Sequence, residues 1–74
     1  MKFFVEVENT YKAIFTFSSL IEAVDFVNQV ADLALQTEAS PEILIKGSDV
    51  TITLGSGERE LAQKIEDLGV GEAY

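Results

Sequence analysis

The segment ILIKGSDVTITL, residues 43–54, places two runs of alternating apolar side chains on either side of a Gly-Ser pair. Alternation with a period of two is typical of strands that bury one face. A two-residue turn at Gly47 and Ser48 brings the large apolar side chains of both runs to one face, and a leading glycine suits a type II′ turn. The same turn places Lys46 opposite Asp49 on the other face. The segment therefore predicts a tight antiparallel hairpin.

A second hairpin is predicted near the N-terminus, where residues 3–8 and 11–17 both alternate. A shift of one residue in the register would move a whole apolar face from the core to solvent. A three-residue loop at residues 9–11 keeps the apolar side chains of the two runs on the same side. Under this register Val5 faces inward and Phe4 faces outward.

A long helical pattern lies between the two hairpins and begins at a capping box. Ser19 and Glu22 have the spacing at which each side chain can cap the backbone N–H of the other residue, and the pattern runs to about Gln36. Its apolar residues cover about half of the helix circumference, whereas a helix packed on one sheet needs only about 100°. The stripe that faces the sheet is predicted to contain Ala23, Val24, Val27, Val30, Ala31 and Ala34, with Phe26 and Leu33 on one flank. We therefore expect this helix to contact another helix as well, in this chain or in a second copy.

A glycine-rich turn at residues 55–57 leads into a second helix over residues 58–68. The element order is then β-β-α-β-β-α, which predicts an α+β fold with two helices on one face of a four-stranded antiparallel sheet. We expect a single domain over residues 1–69 and a C-terminal tail over residues 70–74. The other sheet face would carry three large apolar side chains that form a binding patch if they lie together. The candidate interaction residues are Phe4, Ile14 and Leu44 on the sheet, with Phe26 and Leu33 on the helix.

The composition excludes several classes of function. The chain has 74 residues, with no cysteine and no histidine, so disulfides, the usual zinc and iron sites and Ser-His or Cys-His nucleophiles are absent. The formal net charge is −8, from 13 acidic and 5 basic residues, which argues against direct binding to a nucleic acid backbone. No run approaches the ~20 apolar residues of a membrane span. We expect a cytoplasmic protein that does not bind membranes, and a core this small favours self-association.

The carboxylates are the remaining candidates for acid-base chemistry. Glu38 and Glu42 flank Pro41 just before a strand, and a carboxylate pair can act as acid and base if its surroundings separate the two pKa values. Both residues belong to polar loop positions, where a solvated carboxylate is the ordinary state. We therefore predict no catalytic, cofactor-binding or metal-binding residue.

Three segments carry a resemblance to a known family. They are Phe15-Thr16-Phe17-Ser18-Ser19 with Ala23, Phe26 and Val27; Pro41-Glu42 with Val50-Thr51-Ile52-Thr53-Leu54; and Leu61-Ala62 with Ile65-Glu66. In residue type and order they resemble the pterin-4a-carbinolamine dehydratase family over roughly residues 13–67. The spacing of nine positions from Pro41 to Val50 is the most specific feature.

The chain departs from this family at the positions that carry its chemistry. Family members place two histidines directly before the proline, where this chain has Ala39 and Ser40. A further family histidine follows the second strand of the hairpin, where this chain has only a short turn. The resemblance thus implies the fold and dimerisation, while Ala39, Ser40, Pro41 and Glu42 mark the position of a lost site. Dehydration needs titratable groups placed on the substrate, so we expect the chain to have no enzymatic activity.

The leading hypothesis is a non-catalytic dehydratase-like domain that forms a homodimer or higher homo-oligomer and binds an unidentified protein, without a cofactor. One alternative is a small acidic inhibitor or nucleic-acid mimic that docks on a basic partner. Its acidic face would contain Glu6, Glu8, Glu22, Asp25 and Asp32. A second alternative is a residual dehydratase, which would need a pocket formed by Glu38, Ser40 and Glu42.

Overall fold

The computed structural model describes residues 3–68 and has the predicted α+β architecture. Its strands are β1 (Val5–Val7), β2 (Thr10–Thr16), β3 (Glu42–Lys46) and β4 (Asp49–Gly55), and its helices are α1 (Leu20–Thr37) and α2 (Arg59–Asp67), the latter preceded by a 3₁₀ turn at Ser56–Glu58. The four strands form one antiparallel sheet in the order β1-β2-β4-β3. The predicted tail, residues 70–74, lies outside the described residues.

The β3–β4 hairpin has the predicted register. Ile45 pairs with Val50, and Lys46 pairs with Asp49 across a two-residue turn. Gly47 has a φ of 63°, the left-handed conformation that a type II′ turn requires at its first position and that glycine adopts without strain. Turn chemistry and the alternation of side chains agree here, and the prediction is confirmed.

The predicted register of the β1–β2 hairpin is wrong. The loop has two residues, Glu8 and Asn9, with φ values of 49° and 65°, so that Val7 pairs with Thr10 and Val5 pairs with Lys12. Two successive left-handed residues form a type I′ turn, whose twist matches that of the flanking strands. Every side chain of β1 is therefore on the opposite face from the one expected.

The shift in register exchanges two side chains between core and solvent. Phe4, predicted to face outward, is 5% exposed and belongs to the core, whereas Val5, predicted to face inward, is 61% exposed. Phe4 stacks edge-on against Phe15 with ring centroids 6.1 Å apart. Phe4 is therefore a core residue and is not available as the interaction residue predicted from the sequence.

Helix α1 is capped at both ends by its own sequence. The Ser19 hydroxyl accepts a hydrogen bond from the Glu22 N–H at 3.2 Å, as predicted, but the Glu22 carboxylate accepts from the Ser18 N–H rather than from that of Ser19. At the C-terminus Glu38 has a φ of 56°, and the Ala39 N–H donates to the Ala34 carbonyl at 3.0 Å. This pattern is a Schellman motif with glutamate at the position usually taken by glycine.

The buried stripe of α1 is rotated relative to the prediction. Its buried residues are Ala23, Phe26, Val30 and Ala34, so Phe26 lies at the centre of the packed side. Val24 and Ala31, predicted to face the sheet, are exposed. The exposed residues Leu20, Val24, Ala31 and Leu35 recur at helical spacing along one side, and we name this surface the α1 ridge. The unusually wide apolar arc of the helix is thus divided between the core and solvent.

Phe15 is the centre of the aromatic core. Its ring centroid lies 4.6 Å from that of Phe3 and 4.6 Å from that of Phe26, and its side chain is 0% exposed. Phe17 extends the cluster through Phe26, at 5.0 Å. The inner side chains of β2 and β4 and the apolar side of α2 complete the core. Within residues 3–68 neither helix is long and apolar enough to cross a membrane.

Candidate functional site

Two loops meet at one end of the sheet. Because β3 and β4 are antiparallel neighbours, with Glu42 opposite Thr53, the loop that enters β3 lies beside the turn that leaves β4. The first loop contains Ala39, Ser40 and Pro41, and the second begins at Gly55. The register of β3 and β4 thus brings Ala39, Ser40 and Pro41, three positions of the hypothetical lost site, to the junction of these two segments.

The Glu58 side chain joins the two loops. One carboxylate oxygen, Oε1, accepts a hydrogen bond from the Gly55 N–H at 2.9 Å. The other, Oε2, accepts from the Ser40 N–H at 3.0 Å. Hydrogen bonds from N–H groups to a carboxylate are stronger than those between neutral groups. Glu58 therefore holds the entry to β3 against the exit from β4.

A small cavity of about 180 Å³ lies next to this contact. Its lining comes from the end of α1 and the start of α2: Thr37, Glu38, Ala39, Gly57, Glu58, Glu60 and Leu61. Three carboxylates surround the cavity, and one of them, Glu58, already accepts two backbone N–H groups. Among residues 3–68 no group of three or more acidic side chains has the geometry to hold a metal ion.

The three residues of the hypothetical carboxylate site do not converge on one pocket. Glu38 lines the small cavity, and Ser40 contributes its backbone N–H to Glu58. Glu42 points to the opposite side of the sheet, where it lines a shallow depression with Lys12 and Leu44. The pocket that a residual dehydratase would need at Glu38, Ser40 and Glu42 is therefore not formed, because the alternation of β3 turns Glu42 away from the loop.

The contact made by Glu58 gives a first testable prediction. Glu58→Gln replaces one acceptor oxygen by an amide donor, so one backbone N–H loses its partner and the other keeps a weaker one. We expect the free energy of unfolding to fall by about 1–2 kcal/mol in a urea titration. The backbone amide resonances of Ser40 and Gly55 should shift in NMR spectra. Glu60→Gln is the matched control, since it removes the same charge from the same region without touching either contact.

The sheet face that the helices leave open forms a second candidate surface. We name it the open sheet face, and it consists of the outward residues of the four strands: Val5, Val7, Thr10, Lys12, Ile14, Thr16, Glu42, Leu44, Lys46, Asp49, Thr51 and Thr53. Ile14 is 52% exposed and Leu44 is 63% exposed, so both predicted interaction residues lie on it. A depression of about 590 Å³ at its β1 side is lined by residues that include Val5, Val7 and Ile14.

The remaining predicted interaction residues lie elsewhere. Phe26 is 1% exposed and packs on Phe15, and Leu33 is partly buried against the core. Phe26 is therefore not available for binding in the isolated chain, and Leu33 is available only in part. Val5 and Val7 were missed because their exposure depends on the turn at residues 8–9, which a pattern of alternation alone does not reveal.

The acidic residues do not follow one element. Glu6 and Glu8 lie on β1 and its turn, whereas Glu22, Asp25 and Asp32 lie on α1. Three carboxylates also bind backbone N–H groups within the chain. Glu22 accepts from Ser18, Glu58 from Ser40 and Gly55, and Glu66 from Phe3 and Phe4. Part of the acidic surplus therefore has a structural role, which weakens the case for an acidic mimic.

Comparisons with known proteins agree with the fold and with the resemblance seen in the sequence. The family model described as Pterin 4 alpha carbinolamine dehydratase matches residues 6–68. A crystal structure described as a transcriptional coactivator/pterin dehydratase from Brucella melitensis superposes with a TM-score of 0.75 and 20% sequence identity, over 86% of this chain and 79% of that chain. At this identity the structural likeness concerns the fold alone. No curated protein sequence matches the chain.

Proposed function

The chain belongs to the pterin-4a-carbinolamine dehydratase family, and we propose that it is a member without dehydratase activity that acts by self-association and by binding another protein. The proposal rests on the residues found where the loop that enters β3 meets the turn that leaves β4. Ala39 and Ser40 stand where the family resemblance places two histidines, and Glu58, which reaches both loops, is held by two backbone N–H groups.

The proposed lack of activity follows from the side chains at this junction, which do not supply the acid and base groups that dehydration needs. Dehydration of a carbinolamine needs one group to protonate the departing hydroxyl and another to remove a proton. Ala39 supplies a methyl group, and the Ser40 hydroxyl has no histidine to activate it. Both Glu58 carboxylate oxygens already accept hydrogen bonds from the backbone N–H groups of Ser40 and Gly55. The small cavity of about 180 Å³ also lies below the ~300–1,000 Å³ usual for small-molecule sites.

Self-association is supported by the α1 ridge. Leu35 is 80% exposed near the end of α1, and Leu20 and Val24 are exposed on the same side near its start. The ridge is centred about 110° around the helix from the buried stripe. A second apolar stripe of this kind is typical of helices that contact another helix. The Brucella melitensis protein is described as a transcriptional coactivator as well as a pterin dehydratase, and by analogy we propose a protein as the further partner of this chain.

An activity assay combined with a mass measurement tests the proposal. We expect a carbinolamine substrate to dehydrate at its uncatalysed rate in the presence of the purified protein, and Glu42→Gln to leave that rate unchanged. A rate enhancement that depends on Glu42 or Glu58 would contradict the proposal. Light scattering should give a mass above that of the monomer. Leu35→Lys should lower that mass, while Gln36→Lys, with the same added charge at the next position, should not.

A further inference from the structure

The open sheet face is electrically neutral in a strongly acidic protein. Its charged side chains are Lys12, Lys46, Glu42 and Asp49, two of each sign, whereas the sequence as a whole has a formal net charge of −8. The entire surplus of negative charge therefore lies off this face. Contact between two such faces adds no net like charge at short range, where like charges brought together are unfavourable.

A row of three residues crosses the centre of this face. Ile14 on β2 pairs with Thr51 on β4, and Thr51 pairs in turn with Leu44 on β3. The row thus runs perpendicular to the strands, with an exposed branched side chain on each side of a smaller threonine. On β3 the row is bracketed by opposite charges, with Glu42 two residues before Leu44 and Lys46 two residues after it.

We propose that the open sheet face binds the same face of a second copy about a two-fold axis that runs along this row. Such an axis maps each residue of the row onto its own counterpart, so Ile14 packs on the partner's Ile14 and Leu44 on the partner's Leu44. It also reverses the direction of β3, which brings Lys46 opposite the partner's Glu42. A two-fold interface makes this contact twice.

The geometry is that of two sheets packed face to face. Aligned sheets lie about 10 Å apart with their strand directions within about 30°, a spacing that branched aliphatic side chains fill and that a lysine and a glutamate can bridge. Four strands about 4.8 Å apart, with three, seven, five and seven residues at about 3.3 Å, give a face of about 350 Å² in projection. This is small for a stable complex, so the association is weak and depends on protein concentration.

Reversing the two charges separately and then mixing the variants tests this arrangement directly. In Glu42→Lys alone, lysine faces lysine twice; in Lys46→Glu alone, glutamate faces glutamate twice. An equimolar mixture restores opposite charges at both contacts. We expect each variant alone to dissociate at least tenfold more readily than the wild type in sedimentation velocity runs, and the mixture to recover most of that loss. Circular dichroism checks that both variants fold.

A matched pair on α2 controls for net charge. Glu60→Lys and Lys64→Glu change the charge by the same amounts and are also four residues apart, but they lie off the open sheet face. Mixing them should bring no recovery. If mixing the β3 pair gives no more association than mixing the α2 pair, the proposed interface is wrong.

This interface is separate from the α1 ridge, so the two proposed contacts can be tested and contradicted independently. If Leu35→Lys lowers the mass while the β3 variants do not, the self-association proposed above stands and the open sheet face is not its site. If only the β3 variants lower the mass, the sheet interface stands and the ridge contact fails. If both do, the chain uses two interfaces.

Discussion

Phe15→Ala is expected to lower the free energy of unfolding by about 4 kcal/mol, the usual cost of removing a fully buried phenylalanine. Phe15 is 0% exposed, and its ring contacts those of Phe3, Phe4 and Phe26. Its removal would leave a cavity where β1, β2 and α1 meet. Those rings cannot close the cavity without moving helix α1 or the segment before β1, which carry them.

The loss is large relative to what a chain of this size can hold. At about 0.05–0.15 kcal/mol per residue, a domain of 74 residues has about 4–11 kcal/mol of stability. Phe15→Ala should therefore leave a marginal or unfolded protein, which a urea titration followed by circular dichroism will show. Phe17→Ala is the matched control, because it removes the same atoms from a half-buried position that contacts Phe26. Equal losses for the two variants would contradict the central role of Phe15.

The parts of the fold that the sequence predicted are those in which two local signals agree. At the β3–β4 hairpin the alternation of apolar residues and the chemistry of Gly47 point to the same register, and the structure has it. At α1 the Ser19 cap and the helical spacing agree on where the helix begins. Agreement between levels of this kind is what allows a short sequence to specify one structure.

The first hairpin was mispredicted because one of its turn residues gives no local signal. Asn9 tolerates the left-handed region, but Glu8 is an unusual residue there, and both have positive φ values. Alternation alone allowed a longer loop that buried Val5 and Val7. The strand is only three residues long, so few contacts oppose either register locally, and the burial of Phe4 on Phe15 favours the observed one.

The hairpin beside the candidate site could be predicted from the sequence, but the contact between its two flanking loops could not. Pro41 precedes β3 and Val50 lies in β4, and the register between these two strands is determined by their turn. The contact between Glu58 and Ser40 joins residues 18 positions apart, and a helix pattern carries no information at that range. A local signal was present in the Gly55–Glu58 spacing, where the glutamate returns to the N–H three residues earlier.

The register of β1 can be tested by moving one charge along the strand by a single residue. In Phe4→Glu a carboxylate replaces a ring that is 5% exposed, beside the Glu66 carboxylate that accepts the Phe4 N–H at 2.8 Å. We expect a loss of about 4 kcal/mol or more, since both the apolar burial and the solvation of the new charge are affected. In Val5→Glu the new side chain is on the open sheet face opposite Lys12, and we expect a change within about 0.5 kcal/mol.

The two variants have the same added charge at adjacent positions, so composition and net charge cannot account for a difference between them. Urea titrations at a protein concentration where only one oligomeric state is present will give the free energy of unfolding of each variant. Under the three-residue loop expected from alternation, Val5 would be the buried residue and the order of the two losses would be reversed. A larger loss for Val5→Glu than for Phe4→Glu would therefore refute the type I′ turn at Glu8 and Asn9. It would also remove Val5 and Val7 from the open sheet face.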